Sequence, residues 1–232
     1  LCEELQKIIK KNVKNILCLF SVLIGLISCS DSKEKKGEEQ TSKSVILSTD
    51  SLRIDLEENS NIILKEWFEY YITKDSGFSL KNFRLERIDT LSFIQGNVFG
   101  NFDENFDEVY SDFIVFNRTN DKYIDFDSYQ WEVDKNKIVL FSPDQEINLI
   151  DINTKTVTRI GFRGPLQWVE DAFWENDSII VLVENSADNS PIISKIHLKN
   201  KVEKTFRYND SLEFKSKYPQ TRFKKKGLKY DD

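Results

Sequence analysis

Asp125 and Asp127, in the stretch KYIDFDSYQW, are a candidate acid–base pair. Two residues apart on a strand, both carboxylates leave the same face, beside Tyr123 and Tyr129, because side chains alternate along extended backbone. Such positions lie about 7 Å apart, within the range used by paired carboxylates in inverting glycoside hydrolysis. Any polar strand face offers this spacing, and catalysis also needs one carboxyl raised in pKa by burial.

A second candidate is the stretch GFRGPLQWVEDAFWEND. Arg163 lies between Gly161 and Gly164, followed by Pro165, Gln167, Trp168, Glu170, Asp171 and Trp174. Glycines permit a tight turn, indoles stack on a sugar or peptide, and Arg163 and Gln167 have the donors to hold it. The plainer reading is an inter-hairpin loop whose tryptophans cap the core.

In NFDENFDEVYSD, Asp103, Asn105 and Asp107 alternate as at the start of a calcium loop. The glycine and glutamate that such a loop wants at its sixth and twelfth positions are here Glu108 and Ile114, so the pattern fails twice. An irregular calcium site among Asp103, Asp107, Glu108 and Asp112 then competes with a solvated acidic turn.

Other chemistries lack their residues. The one histidine, His197, falls on the polar side of PIISKIHLKNK, where alternation puts Ile192, Ser194, Ile196 and Leu198 on the opposite face. A zinc site of nitrogen and sulfur ligands and a Cys–His pair are therefore not expected. Phosphate-cradling glycine loops, a nucleophile elbow and a dinucleotide fingerprint are missing, and no cofactor is implied.

Charge sorts the partners. Residues 44–214 hold 31 acids against 18 lysines and arginines, an excess of 13 negative charges, whereas residues 215–230 hold seven basic residues and no acid. An acidic body does not suit nucleic acid, whose phosphates need a cationic face. The basic tail, 215–232, either stays solvated, folds back on the acidic body, or touches anionic lipid phosphates.

The elements that must position these residues follow from periodicity. SNIILKEWFEYYITKD has apolar residues at helical spacing with Ser60 or Asn61 as a cap, which predicts an amphipathic helix over 60–73. From about residue 83, apolar runs alternate with polar turns and predict successive hairpins at 111–128, 130–142, 146–162, 170–184 and 191–208. The fold class is mainly β and antiparallel, with one short N-terminal helix. Trp131 and Trp174, 43 residues apart, each open a unit of four short strands. In length and strand order these units resemble β-propeller blades, although the Gly-His and Trp-Asp signatures are missing. Two or three such units imply an open arrangement of sheets rather than a closed ring.

At the N-terminus, Lys7, Lys10, Lys11 and Lys14 precede the uncharged run ILCLFSVLIGLIS, which then meets Cys29 and a polar tract. A basic region followed by a short apolar one matches a secretory signal peptide. Leu26-Ile27-Ser28-Cys29 resembles the lipobox of bacterial lipoproteins. That resemblance implies a signal peptide at 1–28, acylation of Cys29 (diacylglycerol and a further chain such as palmitate), and a lipid-anchored tether over 29–44. Ser30 next to the cysteine suits an outer membrane, on either its periplasmic or its surface face. Ser30-Asp31-Ser32-Lys33-Glu34 resembles the acidic export signals of Bacteroidota lipoproteins. Asp-Ser-Leu and Asp-Thr-Leu triplets, as at 50–52 and 89–91, resemble O-glycosylation acceptors of the same group.

The expected organisation is thus a signal peptide, a tether, a β-rich body over 45–214 and a basic tail. The expected function is a lipid-anchored envelope protein whose body binds a protein or glycan partner. A carboxylate-dependent glycan hydrolase built on Asp125 and Asp127, and a periplasmic inhibitor or immunity lipoprotein, are the alternatives.

Overall fold

The computed structural model describes residues 61–230. Cys29 and the signal-peptide, tether and export features lie outside the described residues.

Helix α1 (Ile62–Lys74) begins where Asn61 accepts a hydrogen bond from the Ile63 amide at 2.9 Å, satisfying one of the amides that a helix start leaves open. It ends at the extended Asp75, whose amide still reaches the Tyr71 carbonyl. Leu64, Trp67 and Tyr71, spaced by three and four, form its buried stripe. The predicted helix thus exists, shifted by one or two residues.

Twelve strands follow: β1 (Phe83–Thr90), β2 (Ile94–Gln95), β3 (Val115–Phe116), β4 (Lys122–Asp125), β5 (Trp131–Val133), β6 (Val139–Phe141), β7 (Gln145–Asp151), β8 (Thr156–Arg163), β9 (Gln167–Asn176), β10 (Ile179–Ser186), β11 (Ile192–His197) and β12 (Val202–Tyr208). Helix α2 (Tyr218–Lys225) closes the described chain. All five predicted hairpins form, as β3–β4, β5–β6, β7–β8, β9–β10 and β11–β12. Their turns use residues that tolerate or locally support left-handed backbone: Asn120, Lys137, Lys155 and Lys201 all have positive φ. Asp134 and Asp151 brace two of these turns by accepting backbone amides.

The strands form two five-stranded antiparallel sheets, ordered β1-β12-β11-β10-β9 and β2-β8-β7-β4-β3. Ile124, Phe126, Ile147 and Ile160 of the second sheet meet Ala172, Ile180, Leu182 and Ile196 of the first in one buried cluster. The other face of the first sheet offers Phe173, Val181, Val183, Ile193 and Phe206 to α1. There Trp67 lies 4.6 Å from Tyr71 and 5.7 Å from Phe78, centroid to centroid, the spacing at which aromatic pairs add about 0.5–1.5 kcal/mol beyond burial.

Strand composition departs from the expected repeat. Strands β9 to β12 do run as a consecutive four-stranded meander, but β5–β6 leaves the other sheet and stands alone, and β7 pairs with β4 instead. The cause is local. Asp125 ends β4 by accepting the amides of Asp127 and Ser128, which turns the chain away, and Trp131 and Val139 find their apolar partners in Phe113 and Phe223. Trp131 and Trp174 are therefore not equivalent.

The basic segment is no loose tail as far as it is described. Tyr218 and Phe223 of α2 are buried in two different clusters, and Leu228–Tyr230 runs beside β6, where the Val139 amide donates to the Lys229 carbonyl.

Candidate ligand-binding cleft

The long strand β9 opens with Gln167 and Trp168 and then bulges. Val183 faces Asp171 and Glu184 faces Val169, which leaves Glu170 as the extra residue of a β-bulge. Both carboxylates consequently turn toward the helices. Glu170 accepts from Trp67 Nε1 at 2.7 Å, from the Tyr71 hydroxyl at 2.8 Å and from the Ser216 hydroxyl. Burial pushes its pKa up to about 7 against those three donors, which favour the charged form. Asp171 accepts from the Tyr218 hydroxyl at 3.2 Å and sits 3.8 Å from Arg222 Nε. The bulge thus fastens α1, the 216–218 segment and α2 to one strand.

Arg222 is the main fastener of α2. Its two terminal nitrogens donate to the carboxylate oxygens of Asp127 at 2.8 and 2.6 Å, a bidentate arrangement. The guanidinium lies 5.1 Å from the Phe113 ring centroid and 4.6 Å from that of Phe126. Asp127 also accepts from Trp131 Nε1 at 2.7 Å, so the aspartate joins β5 to α2.

Where α2 and the 228–230 segment lie across the sheet ends, a cleft of about 310 Å³ remains. Its walls are Trp168, Gly164 and Pro165 on one side, Phe141 and Tyr230 on another, and Gln220, Phe223 and Lys215 from the α2 segment. Gln130 stands at its inner wall and is held from behind. The Val169 amide donates to Gln145 Oε1 at 2.7 Å, and Gln145 Nε2 donates to the Phe126 carbonyl and to Gln130 Oε1, both at 2.9 Å. Gln145 is 1% exposed, so this relay fixes the Gln130 amide and leaves its nitrogen as a donor without a partner among the described residues. A second hollow, of about 350 Å³, lies on the far side of α2 between α1 and residues 112–116.

The structure scatters the residues singled out by sequence. Gln167 and Trp168 line the cleft, although Gln167 Nε2 already donates to Glu184 at 2.7 Å. Arg163 does not reach the cleft. It is 6% exposed and bridges the sheets, with Nε 2.7 Å from Glu184 and a terminal nitrogen on Glu203. A β-bulge at Ile160, where Ile147 faces Gly161 and Asn148 faces Arg159, resets the alternation and leaves both Ile160 and Arg163 buried, so the Arg163 donors go to carboxylates and not to a ligand. Trp174 packs against the inter-sheet core, and its indole donates to the Val115 carbonyl at 2.9 Å.

Asp125 and Asp127 do not share a strand face, because β4 stops at Asp125. Asp125 is buried under the turn it caps, where burial raises its pKa, while Asp127 lines the cleft with both oxygens on Arg222. The acidic stretch is also occupied locally. Asp103 accepts the Asn105 amide, Asp107 caps the short 3-10 turn Glu108–Tyr110, and Glu108 accepts from Ser111. Asp112 borders the second hollow. Among the described residues no three carboxylate, histidine or cysteine side chains gather as a metal site. No helix among them is long and apolar enough to cross a membrane.

Sequence reasoning missed Gln130, Phe141, Lys215, Arg222 and Tyr230 at the cleft, and it named Glu170, which lies behind the cleft, without giving it a role. Only the charge step at residue 215 hinted at any of them, since a basic segment after an acidic body invites ion pairing. Comparison with family models, curated proteins and solved structures gave no match.

Proposed function

We propose that this is a lipid-anchored protein of the bacterial cell envelope, held at an outer membrane through Cys29, whose β body binds a glycan without transforming it. One observation carries the binding half of this reading. The cleft is walled by aromatic rings and fixed amides, the surface on which the apolar face of a sugar stacks while its oxygens meet N–H donors. Non-catalytic binding is supported by the state of the carboxylates. Asp127, on the cleft wall, is held by Arg222, and Asp125 is spent on a turn, so neither stands free as a general base. The anchor rests on the sequence around Cys29 and on the lysine-rich and apolar segments before it. No feature of the cleft favours the propeller resemblance over a two-sheet sandwich, and the binding reading does not depend on it.

The test uses the full chain and its Cys29→Ala variant in a double-membraned host, with membrane fractionation followed by capture on an array of envelope and plant glycans. The expected result is membrane-bound wild type, a released variant, and glycan capture that Trp168→Ala removes. Capture that survives Trp168→Ala refutes the cleft as the binding site. A Cys29→Ala protein that still partitions with membrane refutes the anchor.

A further inference from the structure

We propose that the cleft selects an acidic sugar, with a hexuronate ring lying on Trp168 and its carboxylate drawn to Lys215. This rests on the glycan-binding reading above and adds the charge of the ligand. Among the described residues Asp127 is the only carboxylate on the cleft wall, and Arg222 pairs with it through two hydrogen bonds. What remains there is mostly donors, beside one buried acceptor without a partner among the described residues, Gln220 Oε1. Gln130 Nε2 is oriented by the buried Gln145 relay, Trp168 Nε1 donates to no group among the described residues, and Lys215 is exposed and has no ion pair among them. The cleft therefore keeps one uncompensated positive charge within a body rich in acids.

Such a wall asks for a ligand that supplies acceptors. A hexuronate has ring, hydroxyl and carboxylate oxygens to accept, and an apolar ring face for the indole. A peptide suits it less well, because successive backbone N–H groups would each need an acceptor, and Gln220 Oε1 is the one buried side-chain acceptor without a partner on the described wall. Size agrees. About 310 Å³ lies at the lower end of the range for small-ligand clefts, which suits a single sugar ring. The exposed Tyr230 and Phe141, 5.5 Å apart between centroids, continue the apolar wall for a neighbouring ring.

The test is calorimetric titration of the full chain in detergent with trigalacturonate and with its methyl ester, which differs by losing the charge. The expected result is tighter binding of the acid by about tenfold or more, weakened by raising salt from 50 to 300 mM, because a charge-assisted contact is screened. Lys215→Gln should shrink the acid-to-ester ratio to within about twofold, chiefly by weakening the acid, and near-ultraviolet dichroism should show an intact fold. Trp168→Phe should weaken both ligands together. Equal affinity for acid and ester overturns the inference and leaves glycan binding standing. Binding of neither ligand overturns it too, and if a protein is then captured in a Trp168-dependent way the glycan reading falls with it. A preference for acid that survives Lys215→Gln refutes the assignment of that lysine.

Discussion

Replacing Arg222 by alanine should unfold this protein more than any other single change in the 215–230 segment. The guanidinium is one-tenth exposed, sits bidentate on Asp127, lies 3.8 Å from Asp171 and stacks over Phe113 and Phe126. Removing it leaves two buried carboxylates without their cation, since Asp127 keeps only the Trp131 indole and Asp171 keeps Tyr218 and the Ala172 amide. Breaking a buried pair from one side costs about 3–5 kcal/mol, mostly the penalty of the stranded charge. For a body of this size each kcal/mol moves the midpoint by about 2–4 °C, so Tm should fall by roughly 6–20 °C. The assay is thermal and urea unfolding of wild type, Arg222→Ala, Asp127→Asn and the double variant. Because the two residues touch, the double variant should be more stable than the sum of the singles by at least about 1 kcal/mol. Additive losses, or a single-variant loss below about 1 kcal/mol, would refute the view that this pair holds α2 on the sheets.

Three further outcomes follow from the same structure. Glu170 has a folded pKa near 7 because of burial; the stability linked to it is fully present below its unfolded value of about 4.5 and is lost as pH rises through about 7, by roughly 3 kcal/mol. Urea midpoints measured from pH 4.5 to 8 should show that decline, and Glu170→Gln should flatten it. Arg163→Met should cost about 3–5 kcal/mol by stranding Glu184 and Glu203 between the sheets, yet leave glycan capture per folded molecule unchanged; reduced capture by fully folded protein would place Arg163 in the binding site after all. Gly96→Ala puts a methyl 2.3 Å from Asn148 Oδ1 and 2.8 Å from Val157 Cγ1, which should destabilise by about 1–3 kcal/mol in urea unfolding; a loss near zero would mean the 96–98 segment shifts freely.

Much of the local structure was legible in the chain itself. The stripe Leu64, Trp67, Tyr71 and the Asn61 cap mark α1 without help from the rest of the fold, because helix period and capping are properties of neighbours in sequence. The same holds for the hairpins, where an apolar alternation meets a turn such as VDKNK or DINTKT and pairs with the next run. Strand order was less legible. The likeness between residues 131–162 and 174–206 suggested two equivalent units, and the interruption after Asp125 decided otherwise by sending Trp131 toward Phe113 and Phe223.

The cleft wall divides in the same way. Trp168 and Gln167 were visible as an unusual local composition, and they do line the cleft. Arg163, from the same stretch, was not separable from them by sequence, since only the pairing of two sheets shows that Glu184 and Glu203 wait behind it. Gln130 acquires its meaning from a relay through Gln145 to the Val169 amide, 24 residues further along the chain. Arg222 meets Asp127 across 95 residues.

By itself, then, the sequence determined the acidic body with its basic end, the helix and the hairpins, because each depends on composition or on residues a few positions apart. Only the tertiary structure decided which carboxylates are neutralised, which donors are left unused and where a cleft lies. Those properties depend on charges and donors brought within about 3 Å of one another from distant parts of the chain, and at that range a single partner reverses what a side chain can do.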